Sequence, residues 1–370
     1  DIELEQAIER AMRGHVAGAV AVVDVRTGRV LGLFSKPSYD PNTLSGGGGI
    51  EALRSTYTRL VSDPLMPLLD KTTSGAYPPG STFKPFSALA ALEDHLLDAK
   101  TRIKCRGYYE LGKRMFKCTQ AHDSVNMHDA LVQSCNVYFY QLAEITGMDR
   151  IAKIAMDFGL GSKTGLGVNP EASGRIPTHA WTTLRHKGQF RIGYTLNAAI
   201  GQGSSTVTVL QLAMAYAALA NGGTLYAPQI VHAVETSDGA VVQEFPPRVR
   251  RTISVKPEHL SLINKALEGV VNEEKGTAYK ERLPDADIAG KTGTAQTSRS
   301  SRGIDPNRRW YFHRDHAWFA GFAPVKSPEI AIVVLVEHGG AGGRAAAPVA
   351  MRIAREYQRI QAARLENKAA

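Results

Sequence analysis

Two hydrophobic periods divide the chain. In "DIELEQAIERAMR", Leu4, Ile8, Ala11 and Met12 recur at helical spacing, predicting an amphipathic first helix with one face to bury. Two β-branched apolar runs follow, residues 19–25 and 30–34. They flank Arg26-Thr27-Gly28, which predicts a hairpin closed on a tight glycine turn. "NTLSGGGGI" reads as a flexible Ser/Gly-rich tip, and no function attaches to it. From 81 to 97, "STFKPFSALAALEDHLL" predicts a strongly apolar helix, with Pro85 tolerated in its first turns. Residues 127–220 read as mostly helical, including "MHDALVQSCNVYFYQLAEI" and "VTVLQLAMAYAALA". Period-two runs then return in "DIAGKTGTAQT", "HAWFAGFAP" and "EIAIVVLVEHG", and "PVAMRIAREYQRIQAARL" closes the chain as a helix.

That order predicts an α+β fold. An antiparallel sheet flanked by helices is expected to gather the first and last segments, about residues 1–35 and 225–370. An all-helical lobe, about residues 80–222, is inserted between them. A site between the two lobes would draw residues from far apart in sequence.

Composition fits a globular chain: 370 residues, 43% hydrophobic, 21% charged, with 35 glycines and 18 prolines. The formal net charge of +9 raises nucleic acid, an anionic membrane surface or an acidic polymer as partners. The densest basic clusters, "RVRR" (248–251) and "SRSSRGIDPNRR" (298–309), read as solvated loops, and no nucleic-acid motif has its expected spacing. No run of eighteen apolar residues occurs, and the acidic N-terminus lacks the character of a signal peptide. With no initiator Met, the chain reads as a mature form or a piece of a longer protein.

The chemistry gathers first in "YPPGSTFKPF". A serine hydroxyl is a poor nucleophile until a base takes its proton, and a lysine serves as that base only when burial or a nearby cation keeps it neutral. Ser81 and Lys84 lie three residues apart where a helix opens, one turn apart on one face, beside free backbone N–H groups suited to an oxyanion. An N-cap serine followed by an exposed lysine is the competing reading. Two further motifs weigh against it: "SCN" at 134–136, 53 residues beyond Ser81, and "KTGT" at 291–294 inside an apolar strand pattern. S-x-x-K opening a helix, S-x-N in a helical region and K-T-G on a strand form the signature of penicillin-recognising serine acyltransferases.

On these motifs, and on "RIGYTLNAAIGQGSSTVTVLQLAMAYAALANGG" and "DHAWFAGFAP", the chain resembles over nearly its whole length the transpeptidase domain of class B penicillin-binding proteins, in the penicillin-binding protein 2 branch used in cell elongation. The resemblance implies the fold shared by penicillin-binding proteins and serine β-lactamases. It implies a D,D-transpeptidase that crosslinks peptidoglycan stem peptides and is acylated by β-lactams. By matching motif, Ser81 is the expected nucleophile and Lys84 its general base. Ser134 is the expected proton relay and Asn136 holds the substrate amide. Lys291 completes the relay and helps keep Lys84 neutral. Thr292 and Thr294 are expected to bind the substrate carboxylate, and the N–H groups of Ser81 and Thr294 to form the oxyanion hole. At Gly293 a side chain is expected to block a substrate lying along the strand. One departure is Val209, where the family usually has Pro at a helix start; no effect on chemistry is expected.

All three cysteines, Cys105, Cys118 and Cys135, fall within 31 residues, with His122 among them, a ligand set suited to structural zinc. The intervening segment is polar and loop-like, and the penicillin-binding protein 2 branch is similar in that some members are thought to hold zinc near the second motif. Asp123 and His128 are the substitute ligands. A Cys105–Cys118 disulfide and three unrelated thiols are the alternatives. A metal here would brace Ser134 and Asn136 from behind, with no part in the chemistry, which needs no catalytic cofactor. Of His313 and His316, one is expected at the cleft margin, whereas Trp318 and Phe319 read as core.

A serine β-lactamase shares the motifs, but no E-x-x-x-N element is present and the 154 residues between Asn136 and Lys291 exceed what those compact enzymes need. A non-turnover β-lactam sensor would need membrane spans to signal. The resemblance further implies partners: a stem peptide ending in D-Ala-D-Ala, β-lactams, and, through missing regions, a SEDS-family glycosyltransferase and elongation-complex proteins. It implies an inner-membrane anchor and a pedestal domain, both absent from this chain, with the catalytic domain in the periplasm, and no nucleic acid.

Overall fold

The first hairpin forms where the alternation places it. In the computed structural model, which describes residues 1–45, 49–297 and 309–369, strands β1 (Gly18–Asp24) and β2 (Val30–Lys36) pair antiparallel. The Asp24 carboxylate closes the turn by accepting from the N–H groups of Arg26 and Thr27 and from the Thr27 hydroxyl, each at 2.8 Å. The glycine tract at 46–48 lies outside the described residues, and Gly49–Ser62 beyond it is a helix that the sequence reading missed.

The region between the helix that follows Ser81 and "SCN" is less helical than expected. Short strands β3 (Ile103–Cys105), β4 (Tyr108–Leu111), β5 (Arg114–Lys117) and β6 (Asp123–Val125) form two ladders, β3 with β6 and β4 with β5. The inserted lobe is therefore not all-helical, and its segment read as loop is a hairpin. Alternation of Tyr109, Leu111 and Phe116 inward against exposed Glu110, Met115 and Lys117 explains the strands. Between 127 and 220 the chain is helical over Met127–Val132, Asn136–Thr146, Met148–Asp157, His179–Arg185, Ile192–Ala199 and Val209–Ala220, but residues 158–178 carry no helix. Thr208 caps the last of these by a capping box with Gln211, so Val209 sits at a helix start, as expected.

Four short strands follow, β7 (Thr224–Tyr226), β8 (Ala233–Glu235), β9 (Val241–Glu244) and β10 (Val249–Thr252), paired as β7 with β10 and β8 with β9. After the helix Pro257–Asn272, the main sheet is completed by β11 (Ala289–Ala295), β12 (His316–Ala323) and β13 (Ile330–Val336). Its order is β11-β12-β13-β1-β2, antiparallel throughout, so the first and last segments do meet.

The sheet is buried on both faces. Val20, Val22, Phe319, Ile332 and Val334 pack under the N-terminal helix Ile2–Met12 and the C-terminal helix Ala347–Ala369, with Leu4, Ile8, Val349 and Ile353. Their alternate neighbours Ala19, Ala21, Val23, Trp318, Val333 and Leu335 join a second core with Leu210, Ala213 and Tyr216 of the helix Val209–Ala220. Two-sided burial is why β13 reads as a continuous apolar run. Trp318 and Phe319 are core residues, as expected. At the far edge, among the described residues, β11 pairs with β12 alone, and its other side packs on the turn that carries Ser81.

Candidate active site

Ser81 stands in a 3₁₀ turn, Gly80–Phe83, which passes directly into the α-helix Lys84–Glu93. That helix is shorter than the apolar pattern suggests, because His95 takes a left-handed backbone (φ 52°) just past its end. The turn is held from every side. Its Gly80 N–H donates to the Gly201 carbonyl at 2.9 Å. The Thr82 hydroxyl donates to the Pro79 carbonyl at 2.7 Å, and Tyr216 Oη donates to the Thr82 carbonyl at 2.8 Å. The Trp318 indole N–H donates to the Pro78 carbonyl at 3.1 Å. Gly80 has φ 55°, and a Cβ there would come within 2.7 Å of the Thr294 carbonyl oxygen, so only glycine lets the turn lie against β11. Ser81 itself remains partly exposed.

The lysine one turn on is fully buried. Lys84 Nζ donates to the Ser134 carbonyl at 2.8 Å, to Ser134 Oγ at 3.1 Å and to Asn136 Oδ1 at 2.7 Å, which joins the first two motifs. Burial pushes its pKa down to about 8, against the opposing pull of the thiols at Cys135 and Cys118. Lys291 is also fully buried, and burial first, then the Lys84 charge, holds it well below the usual lysine range. Desolvation is the first cause of the low Lys84 pKa, and the Lys84 charge adds to the burial that depresses Lys291. Ser134 adopts φ 56°, a left-handed conformation strained for a serine, which aims its hydroxyl at Lys84.

On β11 the side chains divide by the strand period. The Thr292 hydroxyl is buried 2.6 Å from that of Thr277, whereas Thr294 is exposed. The Thr294 hydroxyl accepts from the Gly342 N–H at 3.4 Å, and its carbonyl accepts from Gln202 Nε2 at 3.0 Å. Gly293 carries a packing constraint that the sequence does not show. A Cβ there would meet the Pro79 carbonyl, Thr82 Cγ2 and Trp318 Cβ, each at 3.0 Å, so the glycine makes room for the turn that carries Ser81. Of the two histidines, His313 is exposed and His316 is buried, its ring edge-on to Tyr77 with centroids 5.5 Å apart. Tyr77 Oη donates to the buried Glu337 at 2.8 Å. That pair and Gln202 were missed; "YPPG" and "GQG" were quoted as motifs, but nothing local shows what they touch.

The three thiols are free and converge with His122. One donor atom from each of Cys105, Cys118, His122 and Cys135 lies within 4.8 Å of all the others. His122 Nδ1 is 3.5 Å from both Cys105 Sγ and Cys118 Sγ, close to the roughly 3.6 Å edge of a tetrahedron around zinc. Hydrogen bonding from Cys135 pulls the Cys118 thiol down and the same contact pushes Cys135 up, so the pair shares a proton that a cation would displace. The donor set fits a closed zinc site. Convergence excludes unrelated thiols, and the substitutes lie elsewhere: His128 pairs with Glu273 at 2.7 Å and Asp123 is exposed. Asn136 N–H donates to Cys118 Sγ at 3.1 Å, tying the cluster to the second motif.

A family model described as the penicillin-binding protein transpeptidase domain matches residues 18–355. The chain belongs to that family. Curated relatives named MrdA and solved structures named PBP2 put it in the penicillin-binding protein 2 branch. Peptidoglycan D,D-transpeptidase MrdA of Acinetobacter baumannii is 36% identical over 335 residues, 89% of this chain and 49% of that protein. The Escherichia coli K12 protein of the same name is 34% identical over 353 residues, 92% of this chain and 54% of that protein. This transpeptidase-family chain thus spans about half the length of the curated relatives it matches. Among solved structures, Pseudomonas aeruginosa PBP2 in complex with WCK 5153 superposes with a TM-score of 0.81 at 33% identity, covering 96% of this chain and 74% of that one. PBP2 of Helicobacter pylori, solved in complex with MreC, gives 0.83 at 29% identity over 97% and 63%. The penicillin-binding transpeptidase fold is thereby shown.

Proposed function

We propose that this chain is the catalytic domain of a peptidoglycan D,D-transpeptidase, one domain of two lobes, acting through an acyl-enzyme on Ser81. The observation that carries the reading is the buried Lys84 amine, depressed to about 8 and held by Ser134 and Asn136 one helical turn from Ser81. Neutral Lys84 takes the Ser81 proton as Oγ attacks the penultimate D-Ala carbonyl of a stem pentapeptide. The N–H groups of Ser81 and Thr294 hold the oxyanion. Ser134 passes the proton to the leaving nitrogen, with the Lys291 charge acting on the same site through Lys84, the C–N bond breaks and D-Ala departs. An amine of a second stem then attacks the ester, which restores Ser81 and forms the crosslink. Asn136 holds the substrate amide. Thr294, the exposed threonine of its strand, takes the terminal carboxylate with Thr292 behind it and Gly293 keeping the strand against the turn. A β-lactam follows the first step and stops, because its opened ring stays tethered. Release of D-Ala and dimer formation from a pentapeptide substrate, abolished by Ser81→Ala, tests this; retention of either product by that variant contradicts it.

Cys105, Cys118, His122 and Cys135 hold zinc in this reading. When bound it would supply a structural staple behind Asn136, and every catalytic step belongs to protein groups. The curated relatives are about twice as long, and the Helicobacter pylori relative is solved with MreC. A solved relative is described as coordinating polymerization and crosslinking in a peptidoglycan synthase complex. On that basis the parent protein works in the periplasm from an inner-membrane anchor, beside a SEDS-family glycosyltransferase and elongation proteins. Among the described residues no helix is long and apolar enough to cross a membrane.

A further inference from the structure

The β4–β5 hairpin and its approach are strongly basic. Between residues 102 and 117 stand Arg102, Lys104, Arg106, Lys113, Arg114 and Lys117, against a single acid, Glu110. All six basic side chains are exposed. Arg102 is engaged by Asp129 at 3.4 Å, and the Arg114 guanidinium lies over the Phe116 ring at 4.8 Å. Among the described residues, Lys104, Arg106, Lys113 and Lys117 have no acidic partner within salt-bridge distance. Exposed cations without acidic partners, gathered on one segment, favour an anion at that surface.

The position of this charge matters as much as its sign. The hairpin leaves from Cys105 and returns at Cys118, both members of the Cys/His cluster, and the Cys118 N–H donates to the Gly107 carbonyl at 2.8 Å across its base. The Lys117 carbonyl accepts from Asn136 Nδ2 and from Tyr140 Oη, each at 3.3 Å. Asn136 in turn holds Lys84. Ser81 thus has β11 packed on one side of its turn and, through Lys84 and Asn136, the basic hairpin on the other. A donor held on the β11 side of Ser81 leaves the hairpin side open to the second substrate.

We propose that the β4–β5 hairpin is a docking surface for the acidic acceptor strand, a peptidoglycan chain whose stem peptides carry free carboxylates. The inference rests on the transpeptidase reading. Its occupant follows from sign and place: the anion that reaches a surface tethered to Asn136 is a substrate of the same cleft.

The test is co-sedimentation of the full chain with purified sacculi at about 50 mM and about 300 mM salt, alongside penicillin acylation. The triple variant Lys104→Gln, Arg106→Gln, Lys113→Gln removes charge from side chains outside the catalytic set. It is expected to bind sacculi about tenfold more weakly at low salt, as three exposed ion pairs of a few-fold each would give, and to be acylated at the wild-type rate. The charge-retaining variant Lys104→Arg, Arg106→Lys, Lys113→Arg is expected to bind as wild type. Unchanged sacculus binding by the glutamine variant overturns the inference. So does a loss of binding accompanied by loss of acylation, which places the fault in a disturbed cleft. Charge-dependent binding to phosphatidylglycerol vesicles with charge-independent sacculus binding overturns it in favour of a lipid surface. Failure of the wild-type chain to form a penicillin adduct is a separate result, and sinks the transpeptidase reading itself.

Discussion

Lys84 Nζ donates to Asn136 Oδ1 at 2.7 Å, a hydrogen bond across 52 positions of sequence. It makes one unit of two motifs, since the same amine also meets both oxygens of Ser134. A buried amine satisfied by three acceptors keeps its orientation, and burial is the first cause of the lowered pKa that the proposed role as general base requires.

Replacing that amine by a side chain of similar length, Lys84→Met, is expected to lower the rate of penicillin acylation by roughly 10²–10⁴-fold while the far-ultraviolet circular dichroism stays that of wild type. Stopped-flow acylation with a chromogenic β-lactam measures it. A variant acylated at the wild-type rate would remove Lys84 from the role of base.

The pH dependence follows with a definite sign. The amine must be neutral to accept a proton, and its folded pKa is about 8 against an ordinary value of 10.5. Acylation therefore rises about tenfold per pH unit below the midpoint and levels off above about pH 8. A profile still rising through pH 10 would show a lysine with an undisturbed pKa.

Gly293→Ala inserts a Cβ 3.0 Å from the Pro79 carbonyl, Thr82 Cγ2 and Trp318 Cβ. The turn carrying Ser81 must move away from β11, and overpacking of this kind costs about 1–3 kcal/mol. A lowered Tm and slower acylation are expected together. If acylation were unchanged and only carboxylate affinity fell, the glycine would instead serve a substrate lying on the strand.

The Cys/His cluster is expected to yield one zinc per chain by elemental analysis. Stripping it with a strong chelator, or Cys118→Ser, is expected to lower Tm and to slow acylation, because Asn136 N–H loses the Cys118 sulfur that it meets at 3.1 Å. Metal-free protein with an unchanged Tm would leave the four residues as a hydrogen-bonded thiol cluster.

What the sequence shows and what it hides divide along contact range. The strand of Lys291, the hairpin turning at Gly28 and the turn before Lys84 are written in local periods and in Pro/Gly punctuation, so they were legible. Cys105, Cys118, His122 and Cys135 were legible as a ligand set because chemistry, not spacing, marked them. The orientation of Thr292 toward Thr277, the Tyr77–Glu337 hydrogen bond and the packing that dictates Gly293 join elements 15 to 260 residues apart or across the sheet. No local pattern encodes such contacts. The basic hairpin was hidden for a related reason: its polar residues read as loop, and only the pairing of Tyr109 with Phe116 shows that this segment folds back on itself.

The central claim is a Ser81 acyl-enzyme, and intact-mass spectrometry of the chain mixed with penicillin, followed over hours and mapped by digestion, tests it most directly. A single adduct on Ser81 that persists is the predicted result. An adduct that forms and vanishes with turnover would mark a serine β-lactamase, and no adduct on folded protein would contradict the account.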